Sequence, residues 1–311
     1  MSGPALAGCS ALGSSMCEFA RKRLTSAGLD PSTIVSLVCL LQGVVGLAGL
    51  TASSGGVFPV PHASFWGPAL ASAGLSAITA TLLTKAYRDN DISLCAPFNS
   101  ALPVFQFAMT FVYRDEASLP PHKVAGVFCV VLCSFWLARA GKATANSPLL
   151  PPGALLVLLC CAIWSTVTKF DQMATKAAGS PVVYVCFAKL LTGLWAAIGA
   201  AFSGRGSASA QDKKSAGDDA RGAASRSLRL LVAQPSLIVV LLGIAATEGA
   251  YMAAWFAALS KMSKVYCVAI KKGGNLLLTS VGGWVLFGEK SDGRIVPVLG
   301  VVAGVSLMSL G

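Results

Sequence analysis

The chain has 311 residues, of which 55% are hydrophobic and only 12% charged, and its mean hydropathy is +0.70. A soluble globular domain carries about 25% charged residues, so the composition argues against a soluble domain and indicates an integral membrane protein. The formal net charge of +11 fits basic loops lying beside anionic lipid, and it does not predict binding to nucleic acid.

Ten apolar segments are each long enough to cross a bilayer, whose hydrocarbon core needs about 20 residues per helix. These segments are continuously apolar and lack the alternation of β-barrel strands. The sequence therefore predicts an all-α, multi-pass membrane protein with ten transmembrane helices, at about 3–20, 32–51, 66–84, 92–112, 124–139, 153–169, 181–202, 236–259, 264–287 and 295–310.

An internal repeat connects the fourth segment with the ninth. Residues 91–118 align without a gap on residues 264–291, and in this alignment Asn99 stands opposite Lys272. In both copies a long apolar run ends in a glutamate, followed by a short polar turn and a further apolar segment. The match is one of pattern more than of identity, and it predicts that the chain contains two related halves.

The predicted halves are residues 1–146 and 147–311, with five segments each. Because five is an odd number, the two halves must cross the membrane in opposite directions, which is the inverted arrangement of many secondary transporters. Residues 203–227 interrupt the second half with small, polar and charged side chains. A segment of this composition cannot bury enough apolar surface to fold, so it is predicted to be a disordered linker.

The stretch DISLCAPFNSALPVFQFAMTFVYRDEASLPPHKVAGV resembles the fourth and fifth helices of the drug/metabolite transporter superfamily, in its EamA-like branch. The matching positions are Ser93, Pro97, Pro103, Glu116 and Gly126. The sequence LFGEK at 286–290 is similar to the corresponding end in the second half of that family. The resemblance implies ten helices, a central cavity and the transport of a small metabolite.

Two adjacent lysines, Lys271 and Lys272, lie inside the ninth segment, where an ammonium group costs roughly 3 kcal/mol on insertion scales. Residues four apart share a helix face, so Lys271, Asn275 and Thr279 form a polar stripe. This stripe predicts a site for an anionic substrate. The other candidate substrate-binding residues are Asn99, Lys189, Tyr184 and Tyr266.

The lysine pair also resembles the Lys-Arg pair of organophosphate and plastid phosphate translocators, and there is a weaker resemblance to nucleotide-sugar translocators. Lys272 stands where those carriers have arginine, so the bidentate fork that matches a phosphate group is missing. Two roles without a substrate are also open for the pair. Lys271 is only seven residues after Lys264 and can snorkel to the membrane surface, or an acid inside the membrane neutralises the charge.

Glu248, in the eighth segment, is the leading candidate for that acid. It begins a stripe that continues with Tyr251, Met252 and Trp255. An ionisable group inside a membrane is functional by default, and three roles are open for this one: counter-ion of Lys271, proton-coupling group or cation site. The counter-ion role is slightly favoured.

The sequence thus favours a carrier of small metabolites that exchanges anionic, phosphorylated or nucleotide-linked substrates. One alternative is an exporter of amino acids or apolar cations coupled through Glu248, and an alternative from another class is a membrane scaffold. An enzyme is not expected, because both histidines, His62 and His122, lie in loops and no HExxH or GxSxG motif occurs. No metal or cofactor is expected either.

The expected partners are a small-molecule substrate and the lipid bilayer. The last segment contains GVVAG, a GxxxG pattern that allows helices to approach closely. A homodimer through Gly300 and Gly304 is one interpretation, and packing against another helix of the same chain is the favoured one.

Overall fold

In the computed structural model, the residues described are 2–90, 95, 98–99, 101–113, 121–140, 152–203, 227, 229–259, 261, 264–287 and 295–309. The regular elements of these residues are all helical. The α-helices are α1 (Gly3–Ser26), α2 (Pro31–Ser53), α3 (Trp66–Asp89), α4 (Leu102–Tyr113), α5 (Pro121–Ala140), α6 (Pro152–Ala178), α7 (Pro181–Ser203), α8 (Pro235–Leu259), α9 (Lys264–Phe287) and α10 (Ile295–Ser309). The predicted linker falls almost entirely outside the described residues.

Helix ends follow local sequence signals. Five helices begin with a proline, which has no backbone N–H to leave without a partner at the first helical position; they are α2, α5, α6, α7 and α8. Helix α1 ends at Ser26, and Gly28 in the turn that follows has a φ of 93°, which suits glycine. The backbone N–H groups of Gly28 and Leu29 donate to the carbonyls of Thr25 and Leu24. The turn releases the chain into Asp30, whose side chain caps α2 through the N–H of Thr33 at 3.1 Å.

Five stretches are long and apolar enough to cross a membrane: Pro31–Ser53, Ala63–Asp89, Gly153–Ala178, Pro181–Ala201 and Pro235–Trp255. They coincide with α2, α3 (with the short 3₁₀ turn before it), α6, α7 and α8. The chain therefore has the helices of a multi-pass integral membrane protein. The larger number of ten spans stays a prediction.

The chain forms two compact units. The first unit comprises Met1–Phe19, Ala86–Thr166 and Ala250–Gly311, and the second comprises Ala20–Lys85 and Val167–Gly249. Each unit takes segments from both predicted sequence halves, so the units and the halves are different divisions of the chain. The division into repeats stays a prediction.

Within the first unit, α9 packs on α4, α5 and α10, and α10 packs on α5. The glycines of the GxxxG pattern face α5: a Cβ atom on Gly304 would lie 3.0 Å from the Gly126 carbonyl oxygen, and one on Gly300 would collide with Cys133. The pattern therefore serves packing inside the chain. A homodimer through Gly300 and Gly304 stays a prediction.

Within the second unit, α2 packs on α7. The helices are close enough that a Cβ atom on Gly43 would lie 2.6 Å from the Leu190 Cα atom, and one on Gly193 would lie 2.7 Å from the Leu40 nitrogen. Small residues at such positions let helix backbones approach closely. The close approach increases the van der Waals contact that helps to hold helices together in lipid.

Candidate functional site

Lys271 of α9 lies against two aromatic rings of α8. Its Nζ atom is 4.7 Å from the centroid of the Tyr251 ring and 4.5 Å from that of Trp255. The two rings are four residues apart and so share a face of α8. A cation above an aromatic ring gains about 0.5–2 kcal/mol, depending on how far it is desolvated. The rings therefore offset part of the cost of placing this ammonium group in an apolar helix.

Lys272, the next residue, has different partners because successive side chains on a helix point about 100° apart. Its Nζ atom donates to Asn99 Oδ1 at 2.9 Å and lies 5.0 Å from the centroid of the Trp164 ring. The Asn99 amide nitrogen in turn lies 3.5 Å from the Tyr87 hydroxyl, to which it donates. The structure thus brings Lys272 to Asn99, its counterpart in the sequence repeat.

Asn275 joins α9 to α1. Its Nδ2 atom donates to Glu18 Oε1 at 2.9 Å, and its Oδ1 atom accepts from the hydroxyl of Ser15. Both Glu18 and Asn275 are buried. Thr279, the last member of the predicted stripe, is also buried but donates to the carbonyl of Asn275 in its own helix, at 2.8 Å. Of these two residues, Asn275 makes the hydrogen bonds between helices.

Glu248 lies in the second unit and forms ion pairs with two cationic side chains. Its Oε2 atom is 2.6 Å from Arg21 Nη2, and its Oε1 atom accepts from Lys189 Nζ. Glu248 is therefore a counter-ion, and its described ion pairs are with Arg21 and Lys189. The favoured partner from the sequence, Lys271, is not among the contacts described for this carboxylate.

Tyr184 also lies in the second unit, in a separate polar cluster. Its hydroxyl donates to Asp171 Oδ1, which also accepts from the hydroxyl of Ser72. The Tyr184 ring packs edge to face on Phe65, with the ring centroids 6.4 Å apart. The side chain is almost completely buried.

The predicted site residues consequently divide into two groups. The first unit contains Lys271, Lys272, Asn275, Thr279 and Asn99, and the second contains Lys189, Tyr184 and Glu248. Tyr266 belongs to α9, but its side chain lies outside the described part of the structure.

Sequence reasoning missed several side chains of these clusters, among them Glu18, Arg21, Trp164 and Asp171. Arg21 and Asp171 lie just beyond the ends of the predicted apolar segments 3–20 and 153–169, but α1 and α6 continue past both residues. The signal that was available is the spacing of Glu18 and Arg21, three residues apart on one helical face.

The first-unit cluster can bind an anion. Helix α9 supplies the two ammonium groups, helix α8 supplies two aromatic rings, and Asn99 supplies the amide. Among the residues that the structure describes, no three His, Cys, Asp or Glu side chains are grouped to hold a metal ion.

No family model matches the chain, and no curated protein matches it either. A chain in a solved crystal structure of a protein is similar in fold, with a TM-score of 0.64 and 16% sequence identity. The similarity covers 99% of this chain and 96% of that chain. It shows a shared fold over nearly the whole length, and the apolar helices place that fold in the class of multi-pass helical membrane proteins.

Proposed function

We propose that the protein is a membrane carrier of small anionic metabolites that works by alternating access, with ten transmembrane helices arranged as two inverted five-helix repeats. The observation that carries the proposal is the 2.9 Å contact between Lys272 and Asn99. These residues are equivalent positions of the sequence repeat. Equivalent positions meet when they lie near the axis that relates two repeats, and carriers of this build bind substrate near that axis.

Three helix pairs support the same arrangement. Helix α2 packs on α7, α4 packs on α9, and α5 packs on α10. The members of each pair hold the same position in the two predicted halves, second, fourth and fifth. A two-fold axis between the halves brings such helices together. The packing pattern therefore supports both the inverted repeat and the EamA-like resemblance.

The lysines favour an anionic substrate. Lys272 contacts an aromatic face and an amide oxygen, and these neutral groups stabilise an ammonium group without cancelling its charge. An arriving phosphate or carboxylate group would pair with that charge and lower the cost of carrying it through the membrane. A loaded carrier then changes state more easily than an empty one, which favours exchange over leak.

Glu248 bears on the alternative function. An exporter of amino acids or apolar cations coupled through this residue needs the carboxylate to take up a cation or a proton. The carboxylate already bridges Arg21 and Lys189, and two adjacent cations oppose both events. The ion pairs therefore favour the anion carrier over the exporter.

Uptake by proteoliposomes tests the proposal. Lys271→Gln and Lys272→Gln should each fold and lose most of the uptake of the preferred anion, while Lys261→Gln, at an exposed turn, should transport like the wild type. Normal uptake by both glutamine variants would overturn the assignment of the site. A preferred substrate that is a cation, with uptake dependent on Glu248 alone, would overturn the function.

A further inference from the structure

Two cationic side chains of the second unit meet at a single carboxylate of the same unit. Arg21 comes from α1, Lys189 from α7 and Glu248 from α8, and each of the two cations contacts a different oxygen atom of Glu248. The two cations thus hold a carboxylate in the way that paired basic side chains hold an oxyanion ligand. In this structure the group that they hold belongs to the chain itself.

The three side chains differ in their access to solvent. The Glu248 side chain is 4% exposed, while those of Arg21 and Lys189 are 15% and 17% exposed. The acid lies deepest, and the cations keep surface that an arriving group can reach. An external oxyanion can therefore contact both cations without first reaching the carboxylate.

The energetics of buried ion pairs make replacement feasible. Taking charges out of water costs about as much as their mutual attraction returns, so a buried pair contributes little net stability. Removing one partner is different, because the remaining charge is then left without compensation. Exchanging the Glu248 carboxylate for another carboxylate or a phosphate group keeps an anion beside both cations. The freed Glu248 carboxylate is then the uncompensated charge, so the exchange requires that it take up a proton from water.

We propose that Arg21 and Lys189 form a second oxyanion-binding site, and that Glu248 is its resident anion, which gives up the two cations when an external carboxylate or phosphate group binds. The site belongs to the second unit and does not include Lys271 or Lys272. It can be measured as ligand binding, without transport.

The proposal predicts an unusual effect of removing an acid. Glu248→Gln deletes the competitor while leaving both cations, so the protein should bind an external oxyanion more tightly. If the ion pairs only hold helices together, the same variant should be less stable at every anion concentration and should show no change in anion binding. If Glu248 is a cation site, loss of the acid likewise gives no gain for anions.

The experiment is thermal unfolding of the purified full chain in detergent, with sodium phosphate replacing sodium chloride at constant ionic strength. We expect Glu248→Gln to reach its half-maximal rise in Tm at a phosphate concentration at least tenfold lower than the wild type does. Asp171→Asn changes another acid of the same unit to its amide, and it should leave the phosphate dependence as in the wild type. Glu248→Asp shortens the reach of the acid and should give an intermediate gain, which provides a second test if the glutamine variant does not fold.

Double variants separate this site from the one in the proposed function. Glu248→Gln combined with Lys272→Gln should keep the gain in phosphate binding, whereas Glu248→Gln combined with Arg21→Gln or with Lys189→Gln should lose it. A phosphate dependence unchanged by Glu248→Gln would overturn the proposal. A gain that persists without Arg21 and Lys189 would overturn it too, while loss of the gain with Lys272→Gln would assign the binding to the other site.

Discussion

Lys271 and Lys272 are neighbours in the sequence but are stabilised by different contacts. The first lies between two aromatic rings, and the second binds an amide oxygen and lies over one ring. Aromatic quadrupoles and amide dipoles stabilise an ammonium group without the desolvation cost of bringing in a second ion.

Substitutions of Asn275 and Thr279 test which hydrogen bonds connect α9 to the rest of the first unit. Asn275→Leu removes the donor to Glu18 and leaves a buried carboxylate oxygen without it, so we expect the free energy of unfolding to fall by about 1–3 kcal/mol. Thr279→Val removes only a bond to a carbonyl of the same helix, and it should cost about 1 kcal/mol or less. Unfolding in detergent, followed by circular dichroism, measures both. Equal losses would contradict this assignment of the two roles.

The residues of the site were predictable in part. Helical periodicity placed Lys271, Asn275 and Thr279 on one helix, and the repeat alignment singled out Asn99 opposite Lys272. The acids and bases that pair with one another could not be predicted in the same way. Arg21 and Glu248 are 227 positions apart, and no local pattern in the sequence indicates that they meet.

At the scale of elements, the close packing of α2 and α7 rests on glycine. Gly43 faces the backbone of Leu190, and Gly46 faces Cys186, where an added Cβ atom would lie 2.6 Å from the sulfur. The same helix offers a contrast, because nothing lies within 4 Å of a Cβ atom built on Gly49. One face of α2 is therefore committed to α7, and another is free of such contact.

The two glycines make a matched pair for mutation. Gly43→Ala places a methyl group against backbone atoms that cannot rotate away, so we expect a loss of about 1–3 kcal/mol in the free energy of unfolding. Gly49→Ala adds the same group in open space and should be neutral, or stabilising because alanine is the better helix former. Thermal unfolding of both variants beside the wild type is the measurement. A Gly43→Ala protein as stable as Gly49→Ala would show that the helices do not pack this closely.

Helix positions were more predictable than helix ends. Hydropathy located the apolar part of each helix well, since that signal is set by the hydrocarbon core. It set the ends of α1 and α6 too early, at residues 20 and 169, because both helices continue with polar and charged side chains to Ser26 and Ala178. The missed turns contain Arg21 and Asp171, which are the residues that complete the clusters of the second unit.

For the whole molecule, the proposed inverted repeat predicts the sides of the membrane on which α1 and α6 end. With five spans in each half, the end of α1 and the end of α6 must lie on opposite sides of the membrane. Ser26 and Lys176 are residues near these two ends. Cysteines placed there, as Ser26→Cys and Lys176→Cys, should react with a membrane-impermeant maleimide from opposite faces of sealed vesicles. The unmodified chain serves as the background, and labelling of both variants from the same face would rule out the inverted arrangement.

Anion exchange by the wild-type protein in liposomes tests the central claim most directly. Labelled inorganic phosphate, phosphoenolpyruvate and citrate are offered outside vesicles that are either empty or loaded with the same unlabelled anion. We expect at least one of these anions to enter several-fold faster than it enters protein-free vesicles, and faster still when the vesicles are loaded. Entry no faster than into protein-free vesicles for every anion, together with uptake of amino acids or organic cations, would contradict it.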